Sequence, residues 1–431
     1  MKINGEMVVT AGYGVSDITP WLNAVELAGY GYDKARVATS VLDRLQAVVV
    51  TFSSASSGRI AIVSCDQLQI GDGVAEYVRD RALREFAIAG DSLVLLATHS
   101  HTSPLTGNLE GCGIENPEYA SFVAHRIVDA IAAAVADEAP ALSIATCETT
   151  VEPPVAFNRT DPNGSIDTHV RGFIIEREES LSIALLSYGC HPVTLGPKDS
   201  VSADYPGRVR EALSRAGYLP LFGTGFCGDT DPACNKGAWG KGTEETITEY
   251  GERIADAFLR GLRASGPIGV PAAHGATGEV LFDDLDRNTI GEIADGFRRG
   301  VQVGSAHMRV IDAWERLMFE RLEKSLQPSQ EFTMRIISIG GVALVALPFE
   351  CFTAMGDIIR RAAPGEVVLG LGCADCTLCY LPVESEYAKE KSYAARSSII
   401  IYRAPPIKRG QAESIATLAA EELQRIKRGT N

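Results

Sequence analysis

Seven histidines are spread over the 431 residues, and two of them stand one residue apart in Ala97-Thr-His-Ser-His-Thr-Ser-Pro104. Neutral imidazole suits zinc and other divalent first-row metals. The segment follows Ser92-Leu-Val-Leu-Leu-Ala-Thr98, an apolar run that reads as a buried strand. Strand ends in α/β sheets are where sites tend to lie. On an extended segment residues two apart point to one face, so His99 and His101 can converge on one centre. The plain alternative is two histidines capping a turn by hydrogen bonds. His191 adds to the metal reading, because in Ser187-Tyr-Gly-Cys-His-Pro-Val-Thr194 it also follows directly on a buried strand. Taken alone, a strand-end histidine is more often structural.

A carboxylate sits in the same context further on. Val342 to Leu347 is strongly apolar, and Pro348-Phe-Glu350 follows. A buried glutamate needs a partner, since an unpaired charge is costly. A metal is one such partner and a nearby arginine is another. Gly225-Phe-Cys-Gly-Asp-Thr-Asp-Pro-Ala-Cys-Asn235 makes a tight acidic turn, in which Asp229 could act as a base or orient a ligand histidine. Tyr380, Tyr387 and Tyr393 cluster near the end, at a density common in cores and interfaces. Cys373-Ala-Asp-Cys-Thr-Leu-Cys379 has the two-residue spacing of iron–sulfur ligation, but a fourth cysteine and a second Cys-x-x-Cys pair are missing. No Gly-x-Gly-x-x-Gly, P-loop or Gly-x-Ser-x-Gly elbow supports a nucleotide cofactor or an α/β-hydrolase triad.

The elements that must position these groups are short apolar runs alternating with helical patterns. Gln46–Phe52, Arg59–Cys65, Ser92–Thr98 and Leu181–Ser187 read as buried strands. Val74–Ala87 reads as a helix, and Glu118–Asp137 more strongly so, with Val123, Ile127, Ile131 and Val135 on one stripe. Helices are also expected over Arg208–Ala216, after Asp204-Tyr-Pro-Gly207, over Thr248–Arg263 and over Gln411–Lys427. Phe332–Ile339 and Val342–Leu347 flank Gly340-Gly341 as a hairpin. Asp283–Gly304, rich in glycine and charge, has no clear pattern. The alternation predicts an α/β fold, with mixed buried β-sheets flanked by helices in one integrated domain over residues 1–431.

Composition narrows the function. Hydrophobic residues make up 45% and charged residues 22%, ordinary for a globular chain. The net charge of −15 and the lack of a basic cluster argue against a nucleic-acid partner. No run of eighteen apolar residues suggests a membrane span, and the amino terminus has no signal-like apolar stretch. Ten cysteines in a chain with ample core predict buried, reduced thiols and a cytoplasmic protein. Oligomeric state is not legible.

Taken together, the segments resemble a known family. Gly12-Tyr-Gly-Val-Ser-Asp-Ile-Thr-Pro20, Val63-Ser-Cys-Asp66, Thr98-His-Ser-His-Thr-Ser-Pro104, Phe157-Asn-Arg159, His191-Pro-Val-Thr194, Gly228-Asp229, Pro348-Phe-Glu350 and Tyr380-Leu-Pro-Val-Glu-Ser-Glu-Tyr387 occur in the order seen in the neutral, non-lysosomal ceramidases. The resemblance runs from about residue 11 to 400. It implies the ceramidase catalytic-domain fold and hydrolysis of an N-acyl amide with one zinc ion. It further implies zinc ligands at His99, His191, Glu350 and Tyr380, with His101, Arg159 and, less closely matched, Tyr393 in the active site. Two departures stand out. No serine occupies Gly225–Asn235, where the family carries one at the reaction centre, and Gly225 stands three residues before the Gly228-Asp229 pair. The chain also ends too soon for the family's carboxy-terminal immunoglobulin-like domain. A small soluble substrate is therefore expected rather than a long-chain lipid.

The expected chemistry is that of a zinc hydrolase. Zinc lowers the pKa of bound water to about 7 and polarises the scissile carbonyl. His101 is expected to transfer protons or stabilise the oxyanion, and Arg159 to hold a carboxylate or oxyanion of the substrate. Two other readings stay open. One is a zinc lactonase or esterase acting on a carbohydrate-like substrate. The other is a non-catalytic metal- or ligand-binding homologue, which would not need His101 and Arg159.

Overall fold

The computed structural model describes residues 2–3, 6–31, 35–107, 109–325 and 328–429, with side chains from residue 8 to residue 428 within those ranges. Eight strands form the first sheet: β1 (Val9–Asp17), β2 (Gln46–Ser54), β3 (Gly58–Cys65), β4 (Leu93–Ala97), β5 (Ala139–Thr150), β6 (His169–Arg177), β7 (Ser180–Tyr188) and β8 (Leu219–Thr224). Their order is β8-β7-β6-β5-β1-β2-β3-β4. The second sheet has the order β9 (Ala272–Leu281), β10 (Ser329–Ile339), β11 (Val342–Ala346) and β12 (Val367–Leu371). Most neighbours are antiparallel, but β3/β4, β7/β8 and β11/β12 are parallel. A parallel pair needs a crossover connection. Helices α1 (Asp72–Phe86), α3 (Asp204–Arg215) and α7 (Thr353–Arg360) supply the three crossovers.

The two sheets pack face to face. Val48, Val50, Ile60, Ile62, Phe173 and Leu185 from the first sheet meet Ile337, Ile339, Leu344 and Leu369 from the second. Successive side chains on a strand face opposite ways. Accordingly, Val49 and Val63 face α1 and α2 (Pro117–Ala136), while Ile336, Val345 and Val368 face α7 and α9 (Gln411–Gly429). Ile174, Leu186 and Phe222 pack on α3 and α4 (Glu244–Arg260). The result is the mixed, helix-flanked α/β architecture that the sequence predicts.

Helix α2 is long and apolar enough to cross a membrane by composition, yet its Val123, Ile127 and Ile131 stripe is buried on the first sheet. Asn116 starts this helix by accepting from the Glu118 and Tyr119 amides, and Pro117 needs no partner there. The Gly340-Gly341 turn has both residues at positive φ, 51° and 79°, which the tight hairpin between Ile339 and Val342 demands.

Several boundaries differ from the sequence expectation, each for a local reason. The helix expected from Arg208 begins at Asp204, because Pro206 lies in the first turn, where a missing N–H costs nothing. The helix expected from Thr248 begins at Glu244, since Thr243 and Thr246 form a capping box. It ends at Arg260 rather than Arg263. The unplaced stretch after Asp283 contains α5 (Arg287–Arg298), capped by Asp286. Ser305 then caps α6 (Ala306–Glu323), a helix the sequence reading did not single out. These two helices pack on α8 (Ser398–Tyr402) around buried Trp314.

Candidate functional site

The three parallel pairs build one site. Most candidate residues lie in the segments that leave the carboxyl ends of their strands: His99 and His101 after β4, His191 after β7, Asp229 and Asp231 after β8, Glu350 after β11 and, further along, Tyr380 after β12. These ends are tied together by isolated bridges, Leu96 to Ala374 and Gly225 to Leu371. A short parallel pairing sets Glu350 directly opposite Tyr380. A short antiparallel pairing of Thr230–Pro232 with Ala156–Asn158 brings Arg159 alongside, its amide donating to the Asp229 carbonyl at 2.9 Å.

His99 and His101 do converge, but not by strand alternation. The strand stops at Ala97, and His99 takes a left-handed conformation at φ 65°. The three imidazoles are then fixed alike. His99 Nδ1 lies 2.7 Å from the Leu68 carbonyl, His101 Nδ1 2.9 Å from that of Gly29, and His191 Nδ1 2.6 Å from that of Cys227. A carbonyl only accepts, so each Nδ1 donates, and Nε2 is the nitrogen each ring turns to the shared centre. One ligand nitrogen from each ring lies within 4.8 Å of the others. The Nε2 atoms of His99 and His101 are buried with no hydrogen-bond partner.

Glu350 closes the cluster. Its Oε2 is 2.8 Å from His191 Nε2 and 3.4 Å from His99 Nε2, and the Tyr402 hydroxyl donates to its Oε1. The Tyr380 hydroxyl lies 3.4 Å from His191 Nε2 and accepts from Arg159 Nη2 at 2.9 Å. Two ligands bound tetrahedrally at about 2.0–2.1 Å sit roughly 3.3 Å apart. The His99–Glu350 and His191–Tyr380 separations of 3.4 Å match that edge, whereas His191 and Glu350, at 2.8 Å, stand at hydrogen-bond distance; the group could hold a metal ion. Burial, then the neighbouring His99 and His191, pushes the His101 pKa well below the usual imidazole value; burial and Arg159 lower that of His191. The paired imidazoles of His99 and His191 outweigh burial at Glu350 and hold its carboxyl well below the ordinary range.

The other expected residues fall around this core. His101 shares the converging nitrogens with His99 and His191, so by position it can ligate as well as relay protons. Arg159 has its fork committed within the protein: Nη1 to Asp231 at 3.1 Å, and Nη2 to the Gly228 carbonyl and the Tyr380 hydroxyl, both at 2.9 Å. The Asp229 carboxylate is turned to the start of α7, accepting from the Thr353 amide at 2.9 Å and hydroxyl at 2.8 Å. It holds the loop after β8 against the Glu350 segment rather than joining the imidazoles. The Tyr393 ring stands edge-on to Tyr380 at 5.6 Å and lines a cavity of about 390 Å³ with Arg159, Glu386, Lys389 and Lys391. The cysteines between Cys373 and Cys379 are free thiols, like the other seven. Sequence reasoning missed Asp231 and Tyr402. Asp231 stood in the quoted acidic turn, whereas Tyr402, at the end of an Ile-rich stretch, carried no signal.

No family model matches the sequence, and no curated protein matches it. Solved structures do. A ceramidase complexed with C2 is 17% identical, with a TM-score of 0.73, and the alignment covers 97% of this chain and 76% of that one. The neutral ceramidase from Pseudomonas aeruginosa is also 17% identical, with a TM-score of 0.71, covering 97% and 75%. Over nearly its whole length, the chain has the fold of the neutral ceramidases.

Proposed function

We propose that this protein is a mononuclear zinc hydrolase that cleaves the C–N amide bond of a small, polar N-acyl substrate. The observation that carries the reading is the convergence of three backbone-tethered imidazoles and one carboxylate, with the His101 Nε2 buried and unpartnered among the described residues. Simple burial does not favour leaving such atoms orphaned. The shared fold with solved ceramidases supports amide hydrolysis. Charged groups around the adjoining cavity, Arg159, Glu386, Lys389 and Lys391, support a polar substrate rather than a long apolar chain.

His99, His191, Glu350 and Tyr380 would hold the ion. Zinc bound there supplies a water acidified to a pKa of about 7 and a Lewis acid for the carbonyl. The protein's own groups do the rest. His101, neutral and held by Gly29 through Nδ1, accepts a proton at Nε2 and delivers it to the leaving nitrogen. Arg159 fixes the Tyr380 hydroxyl and keeps a positive charge beside the developing oxyanion. Tyr402 orients Glu350 through the oxygen that faces away from the imidazoles. Burial of His99, His191 and Glu350 keeps bulk water out and strengthens each of these interactions.

Metal analysis of the purified protein should give about one zinc per chain. His99→Ala and Glu350→Ala should each lose zinc and hydrolysis together. A panel of short N-acyl amides, esters, lactones and N-acylsphingosine in micelles then ranks the substrate classes. Zinc-free wild-type protein, or full zinc content in both variants, overturns the assignment.

A further inference from the structure

We propose that Tyr30 is a catalytic hydrogen-bond donor, its hydroxyl meeting the reacting carbonyl oxygen of the substrate; this rests on the hydrolase reading above. The loop Ala28–Gly31 is pressed against His101. Gly29, at φ 101°, gives its carbonyl to His101 Nδ1, and a Cβ there would stand 2.4 Å from that nitrogen. The Tyr30 ring lies 5.1 Å from that of His101 and 5.1 Å from that of Trp239. The Arg36 guanidinium covers it at 4.6 Å while also donating to the His101 carbonyl at 2.9 Å. The ring is therefore locked beside a site imidazole from several sides.

The hydroxyl at its tip is buried and has no hydrogen-bond partner among the described residues. Buried tyrosine hydroxyls normally find one. Among the described residues, three other buried hydroxyls lack a hydrogen-bond partner, yet each has a polar group beside it: the Val155 backbone for Tyr188, Asp204 for Thr194 and the Cys373 thiol for Thr377. Tyr30 has only charges in its surroundings, those of Asp204, Arg36 and Asp231. The Tyr30 ring packs on the ring of His101, one of the three converging imidazoles, so the phenol stands at the edge of the imidazole cluster. Tyr30 also lines a polar-walled cavity of about 550 Å³ with Arg36, Cys112, Glu110 and Arg309. Burial keeps the phenol protonated, hence a donor at neutral pH.

Tyr30→Phe keeps the ring and its packing and removes only the hydroxyl. Acetohydroxamate, whose carbonyl stands in for the reacting one, is the probe, titrated calorimetrically into zinc-loaded protein. The expected result is a dissociation constant raised about tenfold, with zinc content unchanged and a melting temperature equal to or above that of the wild type. A lower melting temperature shows that the hydroxyl already had a structural partner and overturns the proposal. So does equal hydroxamate affinity, or zinc-loaded wild-type protein that binds no hydroxamate. A wild-type protein that takes up no zinc is a separate failure, that of the hydrolase reading itself.

Discussion

Tyr402→Phe tests how the carboxylate of the site is held. Glu350 is 3% exposed, and its two oxygens have different tasks. Oε2 faces His191 Nε2 at 2.8 Å and His99 Nε2 at 3.4 Å, while Oε1 receives the Tyr402 hydroxyl. Removing that hydroxyl leaves a buried, ionised oxygen without its donor and frees the carboxylate to rotate. A hydrogen bond to a charged group contributes about 1.5–3 kcal/mol, and every 1.4 kcal/mol is about tenfold in an equilibrium constant. Zinc affinity should therefore fall about 10–100-fold, the range seen when groups behind a metal ligand are removed. Competition against a chelator of known affinity, at fixed pH, measures it. The same change made in a Glu350→Gln background should cost no more than about threefold, because the charge that Tyr402 serves is gone and neighbouring sites couple. Unchanged zinc affinity in Tyr402→Phe refutes the reasoning, as does a full effect that persists when Glu350→Gln is already in place.

Two further outcomes follow from local geometry and charge. A Cβ at Gly225 would stand 2.9 Å from the Gly189 amide nitrogen and 3.0 Å from the Tyr188 carbonyl carbon, both backbone atoms. Gly225→Ser should thus destabilise the fold by about 1–3 kcal/mol in denaturant unfolding, whatever it does to substrate choice; a neutral effect sinks the packing argument. The metal-free protein should also lose stability as pH falls. His101 and His191 have folded pKa values pushed down by burial, so their neutral forms contribute stability that is complete above the unfolded value of about 6.5. Below that pH the unfolded chain binds more protons than the folded one, and stability declines toward the depressed folded values. Melting temperatures of metal-free protein between pH 7 and 5 should fall, and His101→Gln should flatten the slope; a flat wild-type profile contradicts the assignment.

The parts of the molecule that local chemistry dictates were legible in the chain itself. Apolar runs such as Gln46–Phe52 and Val342–Leu347 read as buried strands, and Val123, Ile127 and Ile131 as one apolar stripe of a helix. His99 and His191 stood out as imidazoles at the ends of expected strands, and Glu350 because a buried charge requires a partner. Tertiary structure decided the rest. His99 reaches the centre through a left-handed turn that no spacing rule announces. Gly29, Leu68 and Cys227 orient the imidazoles with carbonyls that look like any others in sequence. Asp229 and Asp231, two residues apart, divide their work, one anchoring α7 and the other holding Arg159. Tyr402 and Tyr30 enter from distant segments with no pattern of their own. Local sequence constrains φ, ψ and burial within a few residues, whereas the direction of a side chain toward a site is set when remote strand ends are brought together by three crossovers.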